Sequence, residues 1–157
     1  MKTINDIMTT SPEFIGKKAT LEEAANQMQK NNIGSLPVVD ENEKVVGIIT
    51  DRDITLAIAK NKKPVSDIKV TDAMTTDVHT INPENEAVEA LKIMRTKKVG
   101  RLPVVDSEKR LKGIVTLTGI AKKFQEGGEK SGKNNDDVIS TLFAIAERNE
   151  NPEPVHK

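Results

Sequence analysis

Gly34-Ser-Leu-Pro-Val-Val-Asp40 is answered 66 residues later by Gly100-Arg-Leu-Pro-Val-Val-Asp106, with Ser35 against Arg101 the only change. Working outward at that offset, residues 3–54 align with 69–120 without a gap and give 18 identities in 52 pairs. A tandem duplication is the economical reading, because paired copies bury faces that one copy would leave in water. Each heptapeptide heads a hairpin. Residues 36–39 and 45–49 are rich in branched side chains around the acidic turn 40–44, and 102–105 and 111–115 repeat the design around 106–110. Apolar runs without alternation predict strands buried on both faces, with the proline at the strand's first residue.

The flanking residues repeat as well. Each copy opens on Asp6-Ile-Met-Thr-Thr10 or Asp72-Ala-Met-Thr-Thr76, followed by a short extended segment that ends in Ile15 or Ile81. Thr20-Leu-Glu-Glu23 is a capping box, and Leu21, Ala24, Ala25 and Met28 follow at helical spacing. The second copy gives Ala87, Ala90, Leu91 and Met94 after Pro83. A second helix is predicted over 51–60, with Ile54, Ala57 and Ile58 inward, and over 117–125, with Ile120, Ala121 and Phe124 inward. Methionines 8, 28, 74 and 94 recur in pairs and read as core.

The predicted divisions are a first repeat at 4–62, a linker at 63–71, a second repeat at 72–126, a glycine-rich tether at 127–135 and a helix at 136–148. Residues 61–70, with Pro64 and a lysine cluster, read as a solvated connection. Val138, Ile139, Leu142, Phe143 and Ile145 fall on one side of the final helix, which should dock on its own domain or on a partner subunit. Residues 149–157 are expected to be disordered.

Composition narrows the function. Lys plus Arg and Asp plus Glu balance at 24 each, so no global positive field collects nucleic acid. With neither Trp nor Tyr and only Phe14, Phe124 and Phe143, stacking platforms for single-stranded bases are missing too. The absence of cysteine excludes disulfides and thiol chemistry, and the lone histidines His79 and His156 lack metal-ligand spacing. No apolar run reaches the roughly 18 to 20 residues that cross a bilayer, and Met1-Lys-Thr-Ile-Asn-Asp6 lacks the apolar core of a secretory signal, so none is expected. A cytoplasmic protein is expected. No convincing Ser-His-Asp order or phosphate-cradling loop appears, so an enzyme is not expected.

The doubled pattern of Asp-x-Met-Thr, Gly-x-Leu-Pro-Val-Val-Asp and, at 47–54, Gly-Ile-Ile-Thr-Asp-Arg-Asp-Ile resembles a tandem pair of CBS (cystathionine β-synthase) domains, over residues 4 to about 124. The resemblance, closest to a stand-alone bacterial or archaeal pair, implies an α/β (α+β) fold. Two pseudo-symmetric β-α-β-β-α repeats would form one pair, with the C-terminal helix added. It further implies a homodimer, and clefts between the repeats that take an adenosine-containing ligand: AMP, ADP, ATP or S-adenosylmethionine. Occupancy would signal to a regulated protein that the sequence does not identify, and no cofactor or metal is required.

Residue by residue, the resemblance assigns the ribose hydroxyls to Asp53 and places Thr50 beside the sugar. The short strand of the second copy, around Val78 and His79, would lie along the base, and Ile48 would wall it. The phosphates would point to Arg101, with Thr118 and Arg52 near the same cleft. A carboxylate held at a helix N-terminus is suited to two hydroxyl donors, and a planar guanidinium to phosphate. The residues also support plainer readings. Thr50-Asp-Arg-Asp53 is a helix start that needs no ligand, and Arg101 can be a surface residue beside a strand. The second copy reads Gly113-Ile-Val-Thr-Leu-Thr-Gly119, with glycine at the carboxylate position. One competent site per chain is therefore expected. The alternative is an interaction dimer that has lost nucleotide binding.

Overall fold

The local devices predicted for one repeat recur at matching places in the other in the computed structural model, which describes residues 2–126 and 132–150. In chain order the elements are β1 (Thr9–Thr10), β2 (Ile15–Gly16), α1 (Leu21–Asn31), β3 (Ser35–Val39), β4 (Val45–Thr50), α2 (Asp51–Lys60), α3 (Ala87–Lys97), β5 (Arg101–Val105), β6 (Leu111–Thr116), α4 (Leu117–Glu126) and α5 (Gly132–Glu150).

Helix α1 starts on Thr20, whose amide donates to Glu23 Oε2 at 2.7 Å while its Oγ1 accepts from the Glu23 amide at 3.2 Å. It stops at Asn32, held at φ 51°, with the Ile33 amide donating to the Met28 carbonyl at 3.0 Å. Helix α3 stops identically, with Lys98 at φ 54° and Val99 donating to Met94 at 3.0 Å. A left-handed residue followed by this long-reach bond satisfies carbonyls that the helix end leaves open. The first hairpin turns on Asp40, whose Oδ1 accepts from Asn42 and Lys44 amides at 2.8 and 3.0 Å. As expected, β3 is buried along its whole length. Pro37 and Pro103, however, stand third in their strands rather than first. In β5 the Pro103 carbonyl accepts from Ile81 at 3.1 Å. A strand residue's N–H and C=O share an edge, so the missing donor faces an edge bridged by a single residue.

The chain sorts into two units, and neither coincides with one repeat. The first comprises residues 12–78 and 107–111. Its sheet runs β2-β3-β4, with β2 parallel and β4 antiparallel to β3. On the β4 edge, Ile48 and Thr75 exchange both backbone bonds at 2.9 Å. The Met74 sulfur fills the space a Cβ on Gly47 would need. The core joins Leu21, Met28, Leu36, Val38 and Ile49 to Ile68 and Val70.

The second unit comprises residues 2–11, 79–106, 112–126 and 132–150. Its sheet runs β1-β6-β5, with β1 antiparallel to β6, and Ile81 bridges Val104 in parallel. Met8 lies against Gly113 as Met74 does against Gly47. Ile4 and Ile7 enter a core of Leu91, Met94, Leu102, Val104, Ile120 and Phe124. The opening of the first repeat thus supplies an edge strand to the hairpin of the second, and that of the second supplies a one-residue bridge to the hairpin of the first, each with an apolar anchor.

That exchange corrects several expectations. The extended opening of each repeat resolves into two short pairings made to different sheets, so the strand expected around Val78 and His79 does not form. Residues 77–80 carry the chain from Thr75 to Ile81 without ladder pairing, Val78 in the first unit and His79 in the second. The stretch expected as a solvated connection is exposed without interruption over 61–64, and Ser66, Asp67 and Lys69 are exposed as well, but Ile68 and Val70 are core and Lys69 bridges Thr20. Ile58 points outward, 51% exposed, while Ile54 and Ala57 are buried. The last helix begins at Gly132, inside the expected tether, and continues to Glu150, past the expected start of disorder. It docks on its own unit through Val138, Thr141 and Ile145, and Ile139, Leu142 and Phe143 lie outside that contact. Residues 127–131 and 151–157 of the expected tether and tail lie outside the described residues.

Candidate functional site

In the first unit, the corner between β4 and α2 brings Thr50 and Asp53 together. The Thr50 amide donates to Asp53 Oδ2 at 2.9 Å, and the Asp53 amide donates to Thr50 Oγ1 at 3.1 Å. The extended backbone of Thr50 ends the strand and caps the helix at once. The plainer reading of the motif is therefore realised: the pair is a capping box. It does not exhaust the carboxylate, because these bonds use Oδ2 alone. Asp53 is half-buried at the first turn of α2, where the amides and the helix dipole favour an anion.

Around this corner, Gly34 accepts from the Asp51 amide at 3.0 Å, and a Cβ at Gly34 would stand 3.2 Å from Asp51 Oδ2. Gly34 therefore lets an exposed second carboxylate lie close to the backbone. Ile48 is half-buried, with its backbone groups committed to Thr75. Arg52 is exposed, and Val78 is half-buried, its amide turned back to the Thr76 carbonyl at 3.0 Å. Met74 and Thr75 escaped the sequence reading as neighbours of the Gly47–Ile48 edge. Their signal was present in the repeated Asp-x-Met-Thr-Thr, but nothing local says which hairpin it joins.

In the second unit, the equivalent corner lies between β6 and α4. The Gly119 amide donates to Thr116 Oγ1 at 3.0 Å, matching the Asp53 amide, but Gly119 returns no side chain. The exposed Thr118 hydroxyl lies 3.2 Å from Thr116 Oγ1. Arg101 is exposed at the start of β5, and its counterpart Ser35 is buried. His79 is half-buried and does not belong to a strand.

The first unit also holds an open polar hollow of about 560 Å³, lined by Glu41, Asn42, Glu43, Lys44, Glu108 and Arg110. It follows the seam where the Val45 amide donates to the Lys109 carbonyl at 3.1 Å and the Leu111 amide to the Glu43 carbonyl at 3.0 Å. Three of its charged side chains are in ion pairs: Arg110 meets Glu108 at 3.3 Å, and Glu41 meets Lys18 at 2.9 Å and Lys17 at 3.0 Å. Hydrogen bonds from Lys18, from its own backbone and from Lys17 hold the Glu41 carboxyl down at about 2. Partly neutralised in this way, the hollow is a weaker ligand candidate than the Thr50–Asp53 corner. Among the described residues no group of three His, Cys, Asp or Glu could hold a metal ion, and no helix is long and apolar enough to cross a membrane.

The family model described as "CBS domain" matches twice, over residues 4–60 and 65–126. The chain is 37% identical over 139 residues to YlbB of Bacillus subtilis, covering 88% of this chain and 92% of that protein. It is 44% identical over 133 residues to inosine-5'-monophosphate dehydrogenase of Methanocaldococcus jannaschii, covering 83% of this chain but only 25% of the enzyme. Among solved structures, the CBS domain pair of protein MJ0100 in complex with 5'-methylthioadenosine and S-adenosyl-L-methionine is 35% identical, with a TM-score of 0.70. That match covers 83% of this chain and 99% of the other.

Proposed function

The chain belongs to the CBS domain family, with two copies in tandem, and from that premise we propose that it is a regulatory module whose ligand contains adenosine. The pair from MJ0100 holds two such compounds, and AMP, ADP, ATP and S-adenosylmethionine are the candidates for this chain. The observation that carries the reading is the Asp53 carboxylate. It is fixed through Oδ2 at the start of α2, so Oδ1 is oriented without being consumed. A preoriented anion can accept hydroxyl donors of a ribose in charge-assisted bonds. Gly119 offers nothing comparable, so one competent site per chain is proposed. The ligand's effect on a regulated partner completes the proposal; the dehydrogenase activity of the longer relative is not carried over, since the match spans a quarter of that enzyme.

The capping box decides how to test this. Asp53→Ala would remove the helix cap together with the ligand contact. Asp53→Asn keeps an amide oxygen to accept from Thr50 and removes the charge alone. Calorimetric titration of the four candidates should find at least one that binds the parent. Asp53→Asn should weaken that ligand about tenfold or more, as expected for losing a charge-assisted bond of about 1.5–3 kcal/mol, while melting close to the parent. If no adenosine compound binds or shifts the midpoint, the chain is an interaction module and the sensor reading is abandoned. If Asp53→Asn binds as the parent does, the site lies elsewhere.

A further inference from the structure

Helix α5 lies beyond residue 126, where the family match ends, and the second repeat differs from the first at places that receive it. Arg95 pairs with Asp137 at 3.5 Å, and the first repeat has Gln29 at the matching position. Leu91 replaces Ala25 and is 1% exposed. The buried Thr141 hydroxyl, bonded to the Asp137 carbonyl at 2.7 Å, lies 3.4 Å from the Leu91 carbonyl as well. Val99, Val138 and Ile145 pack on one apolar cluster. A Cβ on Gly100 would stand 3.9 Å from Ile145 Cδ1, and the Gly100 carbonyl accepts from the Leu117 amide at 3.0 Å, so α5 reaches the flank of the second corner.

At that flank the two repeats present opposite chemistry. A Cβ on Gly34 would meet the carboxylate of Asp51, which is exposed. Leu117, the counterpart of Asp51, is 8% exposed and belongs to the cluster under Val138 and Ile145. Where α1 is met by the short turn Val65–Asp67, α3 is met by α5. Asp137, Thr141 and Ile145 recur every four residues, so they share one stripe of the helix. We propose that Leu91, Arg95, Val99 and Gly100 form a helix-binding groove, filled in cis by α5. Its ligand class is an amphipathic helix with an acid, a small hydroxyl and a branched apolar residue at i, i+4 and i+8. An apolar helix face laid into a groove is a recurrent mode of recognition. The anchors are modest, because the Arg95–Asp137 pair is part-exposed and such pairs contribute little. What keeps the groove filled is the tether, which makes docking intramolecular at an effective concentration of about 1 mM. A helix draws most of its stability from packing, so α5 off its seat unwinds while the rest of the second unit stays folded. The groove can then be claimed by a competing helix of the same pattern, and it stands whether or not Asp53 holds a ribose.

Two measurements on the full chain test the groove. Amide exchange in the parent should show protection over 134–147. Ile145→Asp should raise that exchange about tenfold or more and leave β5 and β6 unchanged. Fluorescence anisotropy then follows a labelled peptide of residues 132–150. It should bind the Ile145→Asp chain with a dissociation constant below about 1 mM, and the parent, whose groove is filled, at least about tenfold more weakly. The same peptide carrying Ile145→Asp should not bind. Should Ile145→Asp disturb folding of the chain, a charge exchange takes its place. Arg95→Asp and Asp137→Arg should each raise exchange over 134–147 about twofold or more, and the two together should return it toward the parent. Exchange over β5 and β6 that rises with α5 in the charge variants would make the helix an inseparable part of the core. That result, a peptide that binds neither chain at about 1 mM or both alike, or a double charge variant no better than the singles would each overturn the proposal.

Discussion

The two repeats agree at their first-helix ends and hairpin turns and part at the side chains of the strand-to-helix corner. Asn32 and Lys98 sit in the same left-handed pocket of φ, at 51° and 54°, and Glu43 and Lys109 share another at 62° and 67°. Ile4 and Val70 are both fully buried, one repeat length apart. At the helix-starting corner the agreement ends. Thr50 and Thr116 each accept an amide bond three residues on, but only Asp53 returns one from a side chain. Duplication has kept the amide bond that starts the helix and released the side chain that answers it. The same comparison teaches that the folding unit and the sequence repeat are different objects, because the second unit takes its edge strand β1 from the first repeat and the first unit takes the Thr75 bridge from the second.

The largest effect should come from breaking that exchange. Ile4 is buried in the core built on the second repeat, against Leu91, Met94 and their neighbours. Ile4→Ala should cost about 3 kcal/mol, the usual range for emptying a buried aliphatic site being about 2–5 kcal/mol. The diagnostic is where the loss appears. Amide hydrogen exchange should rise over α3 and α4, in the unit that the first repeat's opening completes. Exchange that rises first over α1 and α2 would mean that the opening belongs with its own repeat.

Much of this architecture was legible because its causes are local. The capping box at Thr20, the asparagine pair at the end of α1 and the turn-forming Asp40 each act within a few residues. The buried hairpins followed from unbroken runs of branched residues. Where the reading failed, the cause was distant in sequence. Thr75 selects Ile48 rather than a strand of its own repeat, and no local propensity encodes that choice. The expected strand at Val78 and His79 was lost for that reason, as was the burial of Ile68 and Val70 in a stretch rich in lysine. In the candidate corner, spacing marked Thr50 and Asp53 as a helix start and the resemblance marked them as a ligand site, whereas their mutual bonding needed the structure. Apolar periodicity placed five residues of α5 on one side, but two faces of that helix are apolar, and only packing distinguishes them.

A middle-sized effect should follow from exchanging the two corners. Asp53→Gly removes the reciprocal cap and adds a flexible residue to the first turn of α2, costing about 2 kcal/mol. Gly119→Asp should do the reverse for α4. It supplies a carboxylate three residues after Thr116 and relieves the glycine penalty, for a gain of about 1 kcal/mol. A Cβ at Gly119 would come within 3.0 Å of Thr116 Oγ1, a hydroxyl that can turn by the few tenths of an ångström required. Urea unfolding of both variants measures the pair. A Gly119→Asp protein less stable than the parent would show that the second corner has diverged in backbone as well as in side chain. A stabilised one would leave it a single substitution away from the first.

The smallest effect concerns the helix ends, where the repeats share a conformation but not a residue. Asparagine tolerates the left-handed region better than lysine, whose Cβ crowds the carbonyl there. Asn32 therefore occupies its position at less cost than Lys98 does. Lys98→Asn should raise stability by about 0.5 kcal/mol, and Asn32→Lys should lower it by about as much. The bonds that close each helix, Ile33 to Met28 and Val99 to Met94, are both 3.0 Å and involve backbone alone. Neither substitution removes them, so the urea midpoints should move in opposite directions with unchanged slopes. If both variants move the same way, the two ends differ in more than their left-handed residue. The correspondence between the repeats would then stop short of the one backbone feature where they look most alike.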